Sequence, residues 1–138
     1  MIDFNSPLGQ KIRSRLEKEK IIWLTTVDAQ NMPQPRPVWF HWNDENILIF
    51  SQTKGAKVRH ITHNPHVAIN FNTDGGGGEV AVITGDAVIL EGSLPLNRTN
   101  DYLQKYKEDI QAMGWTLESI QADFSVVILV TPKTIRGF

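Results

Sequence analysis

The sequence predicts a mainly β protein, a β-barrel with flanking helices. About six short stretches rich in β-branched and apolar residues are separated by turns that contain Gly, Pro, Asn or Asp, which is the pattern of a small barrel. Apart from one short helix among the strands, helical patterns occur in three segments, one before the strands and two between a long strand and the closing strand pieces. Because strands and helices do not alternate regularly, the pattern argues against a doubly wound parallel sheet.

The first element is predicted to be a helix that begins after Ser6. Serine is a preferred N-cap, and Pro7 suits the first helical position because its missing N–H leaves no hydrogen bond unmade there. Leu8, Ile12 and Leu16 follow at four-residue spacing and therefore predict one apolar face.

Two extended segments follow this helix. Residues 21–27 ("IIWLTTV") are apolar and β-branched, whereas residues 33–42 ("PQPRPVWFHW") carry three prolines that forbid a helix. Alternation along one continuous strand places Trp39 on one face and four neighbours on the other, namely Arg36, Val38, Phe40 and Trp42.

The middle of the chain is predicted to contain a strand, a short helix and two further strands, at 47–50, 57–63, 67–72 and 79–90. Pro65 ends the short helix. Residues 73–78 ("TDGGGG") reverse the chain, and Gly85 within the long strand predicts a bulge or bend. Beyond this, helices are expected over 96–110 and 116–122, followed by two strand pieces on either side of Pro132.

Composition limits the classes of function. The 138 residues are expected to form one domain, residues 1–138, with a core that needs no disulfide or structural metal. A formal charge of −1 argues against a nucleic-acid or anionic-membrane binder, and the absence of cysteine excludes thiolate chemistry. Asp3 stands where a signal peptide would be basic, and no apolar run approaches the roughly 20 residues of a membrane span, so a cytoplasmic protein is expected.

Two patterns that could indicate sites are better explained as ordinary structure. The glycines at 75–78 lack the Gly-Lys-Ser/Thr that opens a phosphate-binding helix, and a strand follows them, so a hairpin tip is predicted. His60, His63 and His66 are spaced by threes, but Pro65 interrupts the helical face and no cysteine or evident carboxylate completes a ligand set. No metal site is therefore expected.

The segments that contain Arg36 and Lys57 together have the features of a flavin site. The extended strand that carries Trp39 can hydrogen-bond and pack against a flat heteroaromatic ring. Residues 51–60 ("SQTKGAKVRH") leave a strand end and enter a helix start, where free backbone N–H groups and the helix dipole favour an anion. Ser51 adds a hydroxyl, and Lys57 and Arg36 add charge. These features fit a binding site for flavin mononucleotide (FMN). The alternative interpretation of the two segments is an ordinary core strand followed by a solvated basic turn.

Four segments, "RPVWFHW", "ILIFSQTKGAKVRHITHNPHVAINF", "GDAVIL" and "VTPKTIRGF", carry a family resemblance by their order and spacing. Over residues 21–138 the chain resembles the pyridoxamine 5′-phosphate oxidase-like, FMN-binding split-barrel superfamily, and most closely its branch of F420-dependent enzymes. The most specific part is Lys57 followed by a short helix, Asn64, Pro65 and an apolar strand.

The resemblance implies a six-stranded split barrel that forms a homodimer, with the flavin in a groove between the subunits. The residues it implies along the isoalloxazine ring and ribityl chain are Arg36, Pro37, Val38 and Trp39. Those it implies at the phosphate are Ser51, Gln52 and Lys57. Three more basic residues of the same segment are expected to be solvated and outside the site, namely Lys54, Arg59 and His60.

The implied function is an FMN-binding oxidoreductase that acts on an unidentified small molecule. Coenzyme F420 is the alternative cofactor, and a non-catalytic flavin or haem carrier is the alternative of a different class. Tyr102, Tyr106 and Trp115 are weighed as groove residues, with packing in the core or dimer interface preferred. Ala56 stands where the vitamin-B6 oxidases commonly carry a basic residue, which argues against that particular oxidase activity.

Overall fold

The computed structural model describes residues 1–90 and 96–138, with only the backbone described for residues 96–98. The described elements in chain order are α1 (Pro7–Lys18), β1 (Ile22–Val27), β2 (Pro33–Val38), β3 (His41–Trp42), β4 (Ile47–Ser51), α2 (Ala56–His63), β5 (His66–Asn70), β6 (Ala81–Leu90), α3 (Leu96–Lys105), α4 (Lys107–Ala112), α5 (Leu117–Asp123) and β7 (Val126–Gly137). Within the described ranges, no helix is both long enough and apolar enough to cross a membrane.

The seven strands form one antiparallel sheet in the order β2-β1-β5-β6-β7-β4-β3, which curls into a half-barrel. Buried and partly exposed residues alternate along β1 and through most of β6, so one sheet face lies on the core. Helix α1 packs against this core through Ile12 and Leu16, and the Ser6 hydroxyl accepts a hydrogen bond from Gly9 N–H at 3.0 Å. The predicted mainly β barrel with flanking helices, including the N-terminal cap, is confirmed.

The bulge predicted at Gly85 is present, because the pairing of β6 with β7 shifts register between Thr84 and Gly85. Gly85 lies opposite Pro132, where the disturbed ladder tolerates a residue without an N–H. A Cβ at position 85 would overlap the backbone of Thr131, so the close approach requires glycine. The two closing pieces predicted around Pro132 are therefore one continuous strand, β7.

The extended segment 33–42 is interrupted at Trp39 and Phe40, which separates β2 from the two-residue β3. The Phe40 side chain is fully buried, and its backbone bonds to side chains instead of to a strand. Tyr106 Oη accepts from Phe40 N–H at 2.9 Å, while Lys105 Nζ donates to the Phe40 carbonyl oxygen at 2.9 Å. This interruption explains why the described residues form seven strands where six were implied.

The helix predicted over 96–110 is two helices, α3 and α4, because the backbone leaves helical geometry at Tyr106 (φ −108°, ψ 12°). This change lets Lys105 and Tyr106, which are consecutive in the chain, both bond to Phe40. Helices α3, α4 and α5 form a helical layer with a second hydrophobic cluster, whose buried members are Tyr102, Leu103, Tyr106, Ile110 and Ile120.

The glycine-rich residues lie in the connection between the antiparallel strands β5 and β6, as the hairpin prediction requires. Asp74 Oδ1 accepts from the N–H groups of Gly76 (2.8 Å) and Gly78 (2.9 Å), which closes the turn on itself. Hydrogen bonding by these N–H groups lowers the pKa of the Asp74 carboxyl.

Candidate functional site

A cleft of about 410 Å³ lies between the sheet and the helical layer. Its walls come from the end of β2, the end of β4, the start of α2 and the three helices α3 to α5. The described lining residues are Pro37, Val38, Trp39, Phe50, Ser51, Gln52, Gly55, Lys57, Tyr102, Met113, Trp115, Ile120 and Phe124.

One side of the lining, here called the cation end, is formed by Ser51, Gln52, Gly55 and Lys57. Burial lowers the pKa of Lys57, and the nearby Arg36 guanidinium lowers it further. Among the described residues, no carboxylate forms an ion pair with Lys57. Two neighbouring cations without a counter-charge make this end suitable for an anion.

Ser51 and the start of α2 add hydrogen-bonding capacity to the cation end. Ser51 is 3% exposed, and its hydroxyl has no hydrogen-bond partner within the part of the chain that the structure describes. Gly55 is the N-cap of α2 and provides no side-chain bond to the first turn, whose N–H groups are left to other partners. A Cβ on Gly55 would approach Ser51 Oγ to 3.3 Å, so glycine keeps this turn open.

The other side of the lining, here called the aromatic end, is formed by Trp39, Phe50, Tyr102, Trp115 and Phe124. Trp39 stacks on Tyr106 with ring centroids 4.4 Å apart and an interplanar angle of 3°. Phe50 contacts Tyr102 edge-on at 4.4 Å, and Trp115 lies 6.5 Å from Trp39 at a tilt of 55°. The indole of Trp39 is thus fixed by packing before any ligand binds.

The structure brings six of the seven residues proposed from the sequence to this one cleft: Pro37, Val38, Trp39, Ser51, Gln52 and Lys57. Arg36, the seventh, is exposed on β2 outside the lining and acts on the site through its charge near Lys57. Lys54 and Arg59 are exposed outside the cleft as expected. His60, expected to be solvated, instead bonds through Nδ1 to Thr26 Oγ1 at 2.7 Å.

The helical layer supplies lining residues that local patterns did not assign, namely Met113, Ile120 and Phe124. Tyr102 and Trp115 line the cleft, whereas Tyr106 is fully buried beneath Trp39. One sequence feature could have indicated these lining residues. The segment "MGWTLESI" at 113–120, which joins α4 to α5 and begins α5, carries four apolar side chains.

Lys105 lies beside the cleft in the contact between the helical layer and Phe40. Its Nζ is 3.6 Å from the Phe40 ring centroid and donates to the Phe40 carbonyl oxygen. Burial lowers the pKa of Lys105 from 10.5 to about 8, and the charge of Lys20 adds to this effect.

We expect the stability of the protein to rise as pH rises above about 8, the lowered pKa of Lys105. Between that value and the ordinary 10.5, the unfolded chain holds this proton more tightly than the folded chain, so raising the pH favours folding. Because Lys105 is only partly buried, solvent screening reduces the gain from about pH 7 to about pH 9.5 to roughly 1 kcal/mol. Above that range, burial of Tyr102 and Tyr106, which raises both pKa values, acts in the opposite direction.

Urea unfolding of the wild type and of Lys105→Met across this pH range tests the assignment. The gain should shrink in the variant, since methionine keeps the apolar stem without the titrating amine, and what remains is expected from Lys57, whose pKa is also lowered. An equal pH dependence in both proteins would assign the effect to another group.

The sequence profile of the pyridoxamine 5′-phosphate oxidase family matches residues 8–138. The chain belongs to this family. A curated relative, pyridoxine/pyridoxamine 5′-phosphate oxidase 2 of Hydrogenovibrio crunogenus, is 31% identical over 72 residues. That match covers 51% of this chain but 34% of the relative, about a third of its length.

Solved structures with the same split-barrel fold cover nearly all of the chain. A putative pyridoxamine 5′-phosphate oxidase from Listeria innocua has a TM-score of 0.71 at 24% identity, covering 92% of this chain and 94% of its own. HutZ, the haem storage protein of Vibrio cholerae, has a TM-score of 0.72 at 21% identity, covering 94% of each chain. An F420 reductase has a TM-score of 0.68 at 26% identity, covering 90% of this chain and 94% of its own.

Proposed function

We propose that this protein is a flavin-binding oxidoreductase that holds FMN in the cleft, with the phosphate at the cation end. The observation that supports this most is that two groups line the same part of the cleft: Lys57, which lacks a carboxylate partner among the described residues, and the Ser51 hydroxyl, which has no described hydrogen-bond partner. A phosphate group satisfies both at once, because it supplies negative charge and several acceptor oxygens.

The residues around Lys57 complete a phosphate site. The N–H groups of the first turn of α2 and the helix dipole favour an anion, and the Gln52 side chain adds a donor. Arg36 raises the local positive potential. Since Arg36 and the burial of Lys57 both lower the pKa of that amine, a bound dianion would counter both effects and keep Lys57 charged.

The segment from Pro37 to Trp39 is suited to the flavin ring. Strand β2 is at the edge of the described sheet, where it pairs with β1, and no other described strand pairs with its outer side. The open backbone can hydrogen-bond a heteroaromatic edge, while Trp39 offers a fixed aromatic surface. A bound flavin supplies hydride and electron transfer, and the chain supplies orientation, charge and exclusion of water.

The proposal includes a homodimer with the cleft at the interface. The outer face of the sheet supports it, because several of its partly exposed side chains are small or apolar, namely Thr25, Ala68, Val82, Thr84 and Val88. The same face also carries the ion pairs of Asp86 with His66 and Lys133. Val88 is 51% exposed in the single chain. Light scattering during size exclusion should give twice the chain mass of 15.6 kDa.

Coenzyme F420 is the second candidate, favoured by the 26% identity to an F420 reductase over most of both chains. Haem is less well supported by the geometry. A haem iron requires an axial ligand, and no histidine is found among the described lining residues.

Purified protein separates these candidates directly. Absorbance and mass of any co-purified cofactor, followed by titration with FMN, F420 and haemin, should show micromolar or tighter binding of a flavin. If neither flavin binds at that concentration, the proposal is wrong. Oxidation of NAD(P)H or reduced F420 by the loaded protein then distinguishes an enzyme from a carrier.

A further inference from the structure

The aromatic end of the cleft differs chemically from the cation end. Lys57 is the one charged side chain among the described lining residues, and it belongs to α2, not to the helical layer. Helices α3 to α5 and their connections contribute Tyr102, Met113, Trp115, Ile120 and Phe124, none of which carries a charge. If a cofactor phosphate occupies Lys57, the described lining holds no second cation for another phosphate.

The connection between α4 and α5 leaves apolar surface at the mouth of the cleft. Trp115 is 45% exposed and Met113 is 52% exposed, although both line the cleft. The Trp115 backbone is held by a hydrogen bond from its N–H to the Ile110 carbonyl oxygen at 3.1 Å. A ligand that covers Trp115 would remove a large aromatic surface from water.

Tyr102 provides an independent indication of a ligand. It is 4% exposed and lines the cleft, yet its hydroxyl has no hydrogen-bond partner in residues 1–90 and 96–138. Burial raises the pKa of this phenol, so the hydroxyl keeps its proton and can donate to an oxygen of a ligand. The hydroxyl is not among the buried, unpartnered side-chain atoms of the described residues, so it is open to the cleft and available to a ligand there.

We propose that the aromatic end binds the organic substrate, and that this substrate is an uncharged, planar molecule with one oxygen that accepts a hydrogen bond from Tyr102. This inference rests on the proposed flavin function, since it assigns the cation end to the cofactor phosphate. Trp115, whose ring is tilted by 55° from that of Trp39, then contacts the flat ring of the substrate beside the surface proposed for the flavin. A phosphorylated substrate is disfavoured because it would bring a dianion among uncharged side chains.

The test uses protein loaded with FMN, with loading verified by absorbance, and 1-naphthol and 1-naphthyl phosphate as probes in calorimetric titrations. 1-Naphthol should bind the loaded protein at least about tenfold more tightly than 1-naphthyl phosphate. Trp115→Ala should weaken 1-naphthol binding about tenfold, and Tyr102→Phe about fivefold, while both leave the FMN affinity within about twofold. Naphthalene, which lacks the oxygen, should not distinguish Tyr102→Phe from the wild type.

Leu117→Ala is the matched control, because Leu117 is as exposed as Trp115 (45%) and is not among the lining residues. It should leave 1-naphthol binding unchanged. Absence of 1-naphthol binding to loaded protein overturns the inference. Displacement of FMN by 1-naphthol, or an equal loss of FMN affinity in Trp115→Ala, also overturns it, because Trp115 and Tyr102 would then contact the flavin ring. Failure of the wild type to bind any flavin is seen before a probe is added and overturns the flavin proposal instead.

Discussion

Replacing Lys57 by alanine is expected to weaken FMN binding roughly 30-fold, while riboflavin binding changes by less than about twofold. A charge-assisted hydrogen bond to a phosphate is worth about 2 kcal/mol, and riboflavin lacks the phosphate. Lys57 lines the cleft without a carboxylate partner in the described chain, so its loss leaves no protein group unpaired. Quenching of flavin fluorescence at fixed ionic strength measures both affinities.

Lys54→Ala is the matched control for this experiment. Lys54 belongs to the same segment and is exposed outside the cleft, so the variant removes the same charge without touching the site. Addition of Ser51→Ala to Lys57→Ala should weaken FMN binding further, with little loss of fold because both side chains face the cleft. An FMN affinity that is unchanged in the double variant would show that the phosphate binds elsewhere.

Replacing Tyr106 by phenylalanine is expected to lower the free energy of unfolding by about 2 kcal/mol, and replacing it by alanine by about 4 kcal/mol. The Tyr106 hydroxyl lies at the contact between helix and sheet, where it accepts from Phe40 N–H and donates to the Lys20 carbonyl oxygen at 2.6 Å. Phenylalanine leaves the buried Phe40 N–H without a partner. Alanine also removes the ring that stacks on Trp39.

Tyr102→Phe serves as the control, because Tyr102 belongs to the same buried cluster but its hydroxyl has no described partner. Its effect on the urea midpoint should be near zero in the protein without ligand. A loss of stability in Tyr102→Phe as large as in Tyr106→Phe would contradict the special role of the Tyr106 hydroxyl. Tryptophan fluorescence should change in Tyr106→Ala even in the folded state, since Trp39 loses its stacking partner.

The strand interruption at Phe40 could not be predicted from neighbouring residues alone. Apolar residues and prolines correctly predict an extended chain over 33–42, because both act through the backbone of neighbouring residues. The interruption depends on Tyr106, which is 66 residues away and is recognisable as a partner only after folding. The same long-range contact ends α3, so one tertiary interaction accounts for both differences from the predicted elements.

Some residues of the candidate site could likewise be predicted from the sequence, whereas others depend on tertiary packing. Ser51 and Lys57 could be proposed from the residues, since a strand end followed by a helix start places backbone N–H groups beside basic side chains, and Gln52 followed from the family resemblance. Phe124 and Ile120 could not, because an apolar residue in a helix packs into a core or lines a cleft depending on what lies opposite. Binding of a flavin by these residues is the prediction that the Lys57 experiment tests.

The sequence by itself determined the mainly β class, the position of the Gly85 bulge and the basic helix start after β4, because each follows from spacing or backbone chemistry within a short stretch. The tertiary structure alone decided that α3 to α5 cover the sheet end and make it a cleft with one charged and one aromatic side. The physical reason is the range of the forces involved. Turns, caps and periodicity act between near neighbours, whereas the Tyr106 contact and the Trp39 stack join parts of the chain that only the packed core brings together.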